Sequence, residues 1–141
     1  MAYNVLIVDD SSATRSAIKK VIKMSGFDVG EYFEADNGRD ALSVLEKNWA
    51  DVILSDINMP IMDGISFFKE VLKDAIMSSI PVIFVTTEGR GEGIKKTRKM
   101  GARGYITKPF KPEEIRKVLV EVLGEPHEDR KDASDLEGSD F

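Results

Sequence analysis

The stretch that decides the fold is VILSDINMP at residues 52–60, an apolar run that ends at an aspartate and a turn. Two further runs have the same form, VLIVDD at residues 5–10 and PVIFVTT at residues 81–87. The continuous apolar runs near residues 5–8 and 81–85 are typical of strands that are buried on both faces of a parallel sheet. All three runs predict strands whose carboxyl ends carry polar side chains.

Stretches with helical spacing of apolar residues follow these strand candidates and extend the pattern to five strand–helix repeats over residues 4–123. Such alternation predicts βαβ units, an α/β fold and a parallel sheet. Glu31 and Glu34 place the strand near residues 31–35 at an edge of that sheet. The apolar helix positions expected to face the core are Ala13, Ala17, Ile18, Val21, Ile22, Ala41, Leu42, Leu45, Ile65, Phe68, Leu72, Ile115, Val118, Leu119 and Val122.

Length and charge divide the chain into a domain over residues 1–124 and an acidic tail over residues 125–141. The 141 residues suffice for one domain with a buried core. Of the 25 acidic and 20 basic residues, seven acids and two bases lie from Glu125 to Phe141, so residues 1–124 carry 18 of each. A neutral domain has no basic footprint for nucleic acid, and the composition of the tail is typical of a flexible end.

The types of residue that are missing also restrict the function. The chain has no cysteine, which excludes disulfides, zinc sites built on thiolates and thiol catalysis. The residues from Met1 to Asn4 lack the basic region of a signal peptide. No apolar stretch approaches the roughly 20 residues that a membrane helix needs. We therefore expect a soluble cytoplasmic protein without a membrane partner.

Polar side chains end the predicted strands at what we expect to be one edge of the sheet. They are Asp9 and Asp10, Asp56, Thr86 and Lys108. In an open parallel sheet, ligands bind outside the carboxyl ends of the strands. Three carboxylates placed together repel each other, and a hard divalent cation relieves that repulsion. The sequence therefore predicts a site for Mg²⁺, or for Mn²⁺, with oxygen ligands.

The same residues fit the transfer of a phosphoryl group to a carboxylate. An aspartate can act as a nucleophile and form an acyl phosphate. The charge on the transferred group must be neutralised, and Lys108 offers a cation while Thr86 offers a hydroxyl donor.

Taken together, five motifs resemble the receiver domain of bacterial two-component response regulators, and most of all its single-domain chemotaxis type, the CheY-like proteins. The motifs are Asp9-Asp10, Asp56-Ile57-Asn58-Met59-Pro60, Met62-Asp63-Gly64, Thr86 and Lys108-Pro109-Phe110. The resemblance implies a doubly wound, five-stranded parallel sheet of order 2-1-3-4-5 with five helices, the flavodoxin-like architecture.

The resemblance also implies a role for each residue of the site. Asp56 is expected to be the phosphoacceptor and Asp10 a direct metal ligand, with Asp9 acting largely through water. Asn58 is expected to give its backbone carbonyl to the metal. Lys108 is expected to bridge to the phosphoryl group, and its bond to Pro109 is expected to be cis.

Three positions outside this centre are expected to govern the signal. Thr86 matches the switch hydroxyl, and Tyr105 matches the aromatic residue that turns inward when the hydroxyl is recruited. Asn58 and Glu88, two residues after the acceptor and the switch threonine, match positions that tune dephosphorylation. Thr87 is interpreted as an ordinary strand residue. For the basic run Lys95, Lys96, Arg98 and Lys99, a solvated face is favoured over a docking surface.

The implied function is a stand-alone receiver that a histidine kinase phosphorylates. It is expected to be a signalling phosphoacceptor with self-catalysed phosphorylation and dephosphorylation, not a metabolic enzyme. A downstream protein would read its conformation on the face of the fourth helix, fifth strand and fifth helix, as a monomer or a phosphorylation-dependent dimer. Alternatives are a phosphorelay intermediate, a phosphate-independent interaction module and an aspartyl-phosphate phosphatase, whose Asp-x-Asp spacing is absent after the first strand.

Overall fold

The computed structural model describes residues 2–87 and 91–125, and these residues form alternating strands and helices. The strands are β1 (Tyr3–Val8), β2 (Val29–Ala35), β3 (Val52–Ser55), β4 (Val82–Thr86) and β5 (Gly104–Thr107). The helices are α1 (Ser12–Ser25), α2 (Gly38–Lys47), α3 (Gly64–Lys73), α4 (Glu92–Met100) and α5 (Pro112–Leu123), with a short 3₁₀ helix at Met77–Ser79.

All neighbouring strands pair in parallel, in the order β2-β1-β3-β4-β5. The predicted doubly wound sheet is therefore confirmed, and so is the edge position of the strand that carries Glu31 and Glu34. The chain order reverses at β1, where one connection leads outward to β2 and the next returns to β3. A ligand crevice lies at such a switch point in doubly wound sheets.

Helices cover both faces of the sheet and bury the three central strands. Side chains alternate along β1, so that Leu6 packs with α2, α3 and α4 while Ile7 packs with α1 and α5. Every residue of β3 and β4 is buried. This burial on both faces explains why these strands are apolar throughout, and it leaves polar residues to begin where the strands end.

The helix ends follow the local sequence signals. Ser11, Asn37 and Asp63 each accept a hydrogen bond from a backbone N–H in the first turn of α1, α2 and α3. Gly26 and Gly101 end α1 and α4 with positive φ angles of 81° and 105°, which glycine adopts without strain. The three N-terminal caps fix where α1, α2 and α3 start beside the carboxyl edge of the sheet.

Some helix faces differ from the prediction. On α3, the side chain of Leu72 is 40% exposed, whereas Phe67 and Val71 are fully buried. On α1, Ala13 and Ala17 are exposed because the helix turns Ile18 and Ile22 toward the sheet. The interpretation of Thr87 as a strand residue is also wrong, since it lies exposed in a bend after β4.

Two predictions concern the outer parts of the chain. Except for Glu125, the predicted tail over residues 125–141 lies outside the described residues. Within the described ranges, no helix is both long enough and apolar enough to cross a bilayer.

Candidate functional site

The ammonium group of Lys108 joins two carboxylates at the carboxyl edge of the sheet. Its Nζ donates to Asp9 Oδ2 at 2.9 Å and to Asp56 Oδ2 at 3.3 Å. Lys108 follows β5, Asp9 follows β1 and Asp56 follows β3, so residues far apart in the sequence meet because their strands end at one edge. The lysine side chain is 18% exposed and that of Asp56 is 14% exposed, so the cluster is shielded but open to a small reactant.

The loop after β3 holds Asp56 through its backbone. The N–H of Asp56 donates to Val8 O at 2.9 Å, which continues the β1–β3 ladder by one residue. The N–H of Ile57 donates to Asp56 Oδ1 at 2.7 Å, and this contact leaves Oδ2 facing Lys108. The N–H of Gly64 donates to Ile57 O at 2.7 Å, which ties the start of α3 to the loop. One carboxylate oxygen of Asp56 is therefore fixed and the other faces the site.

Asp9 is held from two sides. Its side chain is 3% exposed, and its Oδ1 accepts a hydrogen bond from the N–H of Ser11 at 2.9 Å. Its backbone carbonyl accepts a hydrogen bond from the guanidinium group of Arg15. The same guanidinium donates to Glu34 Oε1 at 2.9 Å and pairs with Asp36 Oδ1 at 2.7 Å. Arg15 therefore links the end of β1 to the end of β2.

A divalent cation fits the three carboxylates. One oxygen each from Asp9, Asp10 and Asp56 lies within 4.8 Å of the other two. Opposite ligands of an octahedral Mg²⁺ lie roughly 4 Å apart, so small side-chain rotations would let all three carboxylates bind one ion. The cluster has a formal charge of −2, since three carboxylates face the one ammonium of Lys108. A hard dication matches this donor set in both chemistry and charge.

The charge state of Lys108 follows from its neighbours. Burial acts to lower the pKa of Lys108. The hydrogen bond to Asp9 and the negative charges of Asp56 and Asp9 outweigh that effect, and the pKa is raised above its ordinary value. Lys108 is thus a cation at neutral pH.

Comparison with known proteins assigns this chain to a family. Residues 5–120 match the response regulator receiver domain. The chain belongs to the response regulator receiver family. It is therefore a phosphoacceptor response regulator, a signalling protein rather than a classical enzyme.

Receivers of the chemotaxis type are among the similar proteins. The chain is 38% identical over 122 residues to chemotaxis protein CheY1 of Helicobacter pylori, which covers 85% of this chain and 96% of the relative. The structure of chemotaxis response regulator CheY4 of Vibrio cholerae matches with a TM-score of 0.77 at 36% identity, over 87% of this chain and all of that one. The CheX–CheY–BeF₃–Mg²⁺ complex of Borrelia burgdorferi matches with a TM-score of 0.74 at 27% identity, over 85% and 88% of the two chains.

The receiver positions expected to transmit the signal lie on β4 and β5. Thr86 is the last residue of β4, is 2% exposed and is in register with Thr107 on β5. Tyr105 on β5 stacks on Phe84 with ring centroids 6.2 Å apart. Its hydroxyl lies 2.9 Å from Thr97 Oγ1, and it also donates to Ile94 O at 3.3 Å. In this conformation the phenol is therefore bonded to α4.

The remaining predicted site residues are less constrained by the structure. Asn58 lies in the loop after β3 with an exposed side chain, and its role as a carbonyl ligand stays a prediction. Glu88 lies outside the described residues. The peptide bond between Lys108 and Pro109 is cis, as the resemblance implied.

Two residues of this region were missed in the sequence. The first is Arg15, a cation close to the start of α1. The helix dipole disfavours a cation at this position unless carboxylates lie nearby, so an arginine there is a signal for a local ion pair. Thr97 is fully buried although it is polar, and it occupies the apolar face of α4 between Ile94 and Met100. The sequence gives no signal for its contact with Tyr105, because a threonine hydroxyl can bond a carbonyl of its own helix, and here it also donates to Ile94 O at 3.0 Å.

Proposed function

We propose that this receiver takes a phosphoryl group from a phosphorylated histidine kinase onto Asp56, with Mg²⁺ or Mn²⁺ held by Asp9, Asp10, Asp56 and the Asn58 carbonyl. The observation that supports this most directly is the contact of Lys108 Nζ with Asp56 Oδ2 at 3.3 Å beside the clustered carboxylates. A cation and a nucleophile at one edge are what aspartyl phosphorylation requires.

In the proposed reaction, Asp56 Oδ2 attacks phosphorus as the P–N bond to the donor imidazole breaks and a P–O bond forms. The imidazole nitrogen leaves with the bonding electron pair. Lys108 exchanges its contact with Oδ2 for a contact with a phosphoryl oxygen, which its raised pKa allows. The divalent cation, when bound, neutralises charge on the phosphoryl oxygens. Hydrolysis of the acyl phosphate by water returns Asp56 to its carboxylate form.

The phosphoryl group would then bias the conformation of the switch residues. The Thr86 hydroxyl would donate to a phosphoryl oxygen, and Tyr105 would leave its bond to Thr97 and turn inward. Tyr105 bonds to α4, so the surface formed by α4, β5 and α5 would differ between the two states. A downstream protein in the cytoplasm would read that surface. The similarity to chemotaxis proteins supports a chemotaxis-type pathway.

The test is the intact mass of the chain after incubation with acetyl phosphate and Mg²⁺. We expect one added phosphoryl group, lost in the presence of EDTA and in Asp56→Asn. Asp40→Asn is the matched control, because this exposed aspartate lies at the start of α2 rather than in the carboxylate cluster, and it should be phosphorylated normally. Phosphorylation of Asp56→Asn at the normal level would refute the site. No addition to the unmodified chain, with Mg²⁺ bound and a kinase supplied, would instead favour a phosphate-independent interaction module.

A further inference from the structure

Helix α4 carries a cluster of cations that the described structure does not neutralise. Its exposed residues include Lys95, Lys96, Arg98 and Lys99, against the single acid Glu92. Among residues 2–87 and 91–125, none of these four cations pairs with a carboxylate. Several of them lie three or four positions apart, where like charges on a helix repel each other. An acidic ligand along this face would relieve that repulsion.

The other helices carry fewer cations that lack a carboxylate partner among the described residues. On α1, Arg15 and Lys19 both pair with Glu34, at 2.9 and 2.6 Å. On α5, Arg116 pairs with Glu125 at 2.7 Å. Lys20 and Lys23 on α1 and Lys117 on α5 also have no carboxylate partner among the described residues, whereas α4 carries four such cations within five positions. An acidic ligand would therefore meet the densest group of unpaired cations on α4.

We propose that the acidic segment 126–141 of this same chain binds the basic face of α4, formed by Lys95, Lys96, Arg98 and Lys99. Residues 126–141 contain six acids against two bases. They therefore complement the charge of the α4 face.

The connectivity places the segment within reach of α4. Strands β4 and β5 run in the same direction, and the helices that follow them, α4 and α5, run back in the opposite direction. Both helices therefore end at the edge of the sheet opposite to Asp56. The segment thus starts on the side of the molecule where α4 ends. Helix α4 spans nine residues, or about 14 Å. Sixteen residues can extend over as much as about 50 Å, several times that length.

The proposed contact would cover part of the surface that changes with the switch. The guanidinium carbon of Arg98 lies 5.0 Å from the ring centroid of Tyr105. A segment bound along α4 would therefore compete with a downstream partner for the face of α4, β5 and α5. This consequence rests on the proposed function, whereas the contact itself is testable in the unphosphorylated chain.

The absence of cysteine makes a clean measurement possible in the full chain. A spin label on Ser134→Cys should broaden the amide signals of α4 in an NMR spectrum and leave those of α1 sharp. Raising the salt concentration to about 1 M, where the Debye length is roughly 3 Å, should restore the α4 signals. Changing Lys95, Lys96 and Lys99 together to glutamine should restore them as well.

A control with the same change in charge separates local binding from a general charge effect. Glutamine at the exposed Lys20, Lys69 and Lys117, on three other helices, should leave the broadening of α4 intact. The proposal would be overturned if the α4 signals are not broadened, or if the broadening centres on α1 or α5. An equal decrease of the broadening in both triple variants would also overturn it. A spin-labelled chain mixed with an isotope-labelled, spin-free chain provides the last check. Broadening of α4 in that mixture as strong as in the single chain would assign the segment to a second copy and likewise overturn it.

Discussion

Replacement of Gly64 by alanine should damage the site through the backbone of Asp56. Gly64 is the buried first residue of α3, and its φ angle is not positive, so alanine suits its conformation. A Cβ atom there would lie 2.1 Å from the carbonyl oxygen of Asp56 and 3.0 Å from Ile57 Cα. Both of these atoms belong to backbone, which cannot rotate away as a side chain can. The substitution must therefore push α3 and the loop after β3 apart.

The size of the effect follows from that distance. Ordinary van der Waals contact begins at 3.4 Å, so relief from 2.1 Å requires a displacement of roughly 1.3 Å or more. Forced contacts in packed regions cost about 1–3 kcal/mol, which would lower the melting temperature by roughly 4–12 °C. A misplacement of about 1 Å can slow a positioned reaction by roughly 100-fold. Helix propensity alone predicts the opposite sign, since alanine favours a helix over glycine by up to about 1 kcal/mol.

Urea unfolding and the rate of phosphorylation by acetyl phosphate measure the two effects. Gly26→Ala is the control, because Gly26 has a φ angle of 81° and a Cβ there would have no atom within 4 Å. It should cost about 1–2 kcal/mol through backbone strain and leave the phosphorylation rate unchanged. If Gly64→Ala is as stable as the unmodified chain and reacts at its rate, then the close approach of α3 does not position Asp56.

Two further predictions concern the contacts of α4 and α1. Thr97→Val should cost about 0.5–1.5 kcal/mol, because it removes the hydroxyl that lies 2.9 Å from the phenol of Tyr105 and donates to Ile94 O at 3.0 Å. The NMR ring signals of Tyr105 should shift in this variant, whereas Thr97→Ser should preserve both the stability and the signals. Unchanged ring signals in the valine variant would contradict a hydrogen bond between Thr97 and Tyr105. The hydrogen bond from Lys19, followed by that from Arg15, lowers the pKa of Glu34. Because the folded-state pKa lies below the unfolded one, the stability that Glu34 contributes is present above about pH 4.3 and is lost as the pH falls through the folded value. Measured by urea unfolding, the free energy of unfolding should therefore fall less between about pH 5 and pH 3 in Glu34→Gln than in the unmodified chain. An equal fall in both chains would contradict a stabilising role of the ionised Glu34.

The central strands could be predicted because their environment leaves no ambiguity. Residues of β3 and β4 are buried on both faces, so an unbroken apolar run identifies them. The approach of Asp9, Asp56 and Lys108 was predictable for a related reason. The carboxyl ends of parallel strands lie at one edge of the sheet. Polar residues that directly follow these strands therefore lie close together, whichever conformations the loops adopt.

The buried face of α3 could not be predicted in the same way. Apolar residues occupy positions 65, 67, 68, 71 and 72, which cover an arc of roughly 160° of the helix circumference, wider than the stripe that one helix needs to face a core. More than one orientation would bury a continuous stripe, and the periodicity does not choose between them. Packing against α2 and β4 makes the choice: Phe68 meets the ring of Phe84 at 5.7 Å, and Leu72 is left exposed.

Arg15 shows where topology supplies what a motif lacks. Its carboxylate partners lie at the end of β2, 19 and 21 positions away, and no spacing rule connects them to a helix start. The strand order places β2 beside β1, however, so the end of β2 must lie next to the loop that carries Asp9. A cation near the start of α1 then has both a reason and a partner. Its bond to the Asp9 carbonyl makes the position of the acidic cluster depend on an edge strand that contributes no ligand of its own.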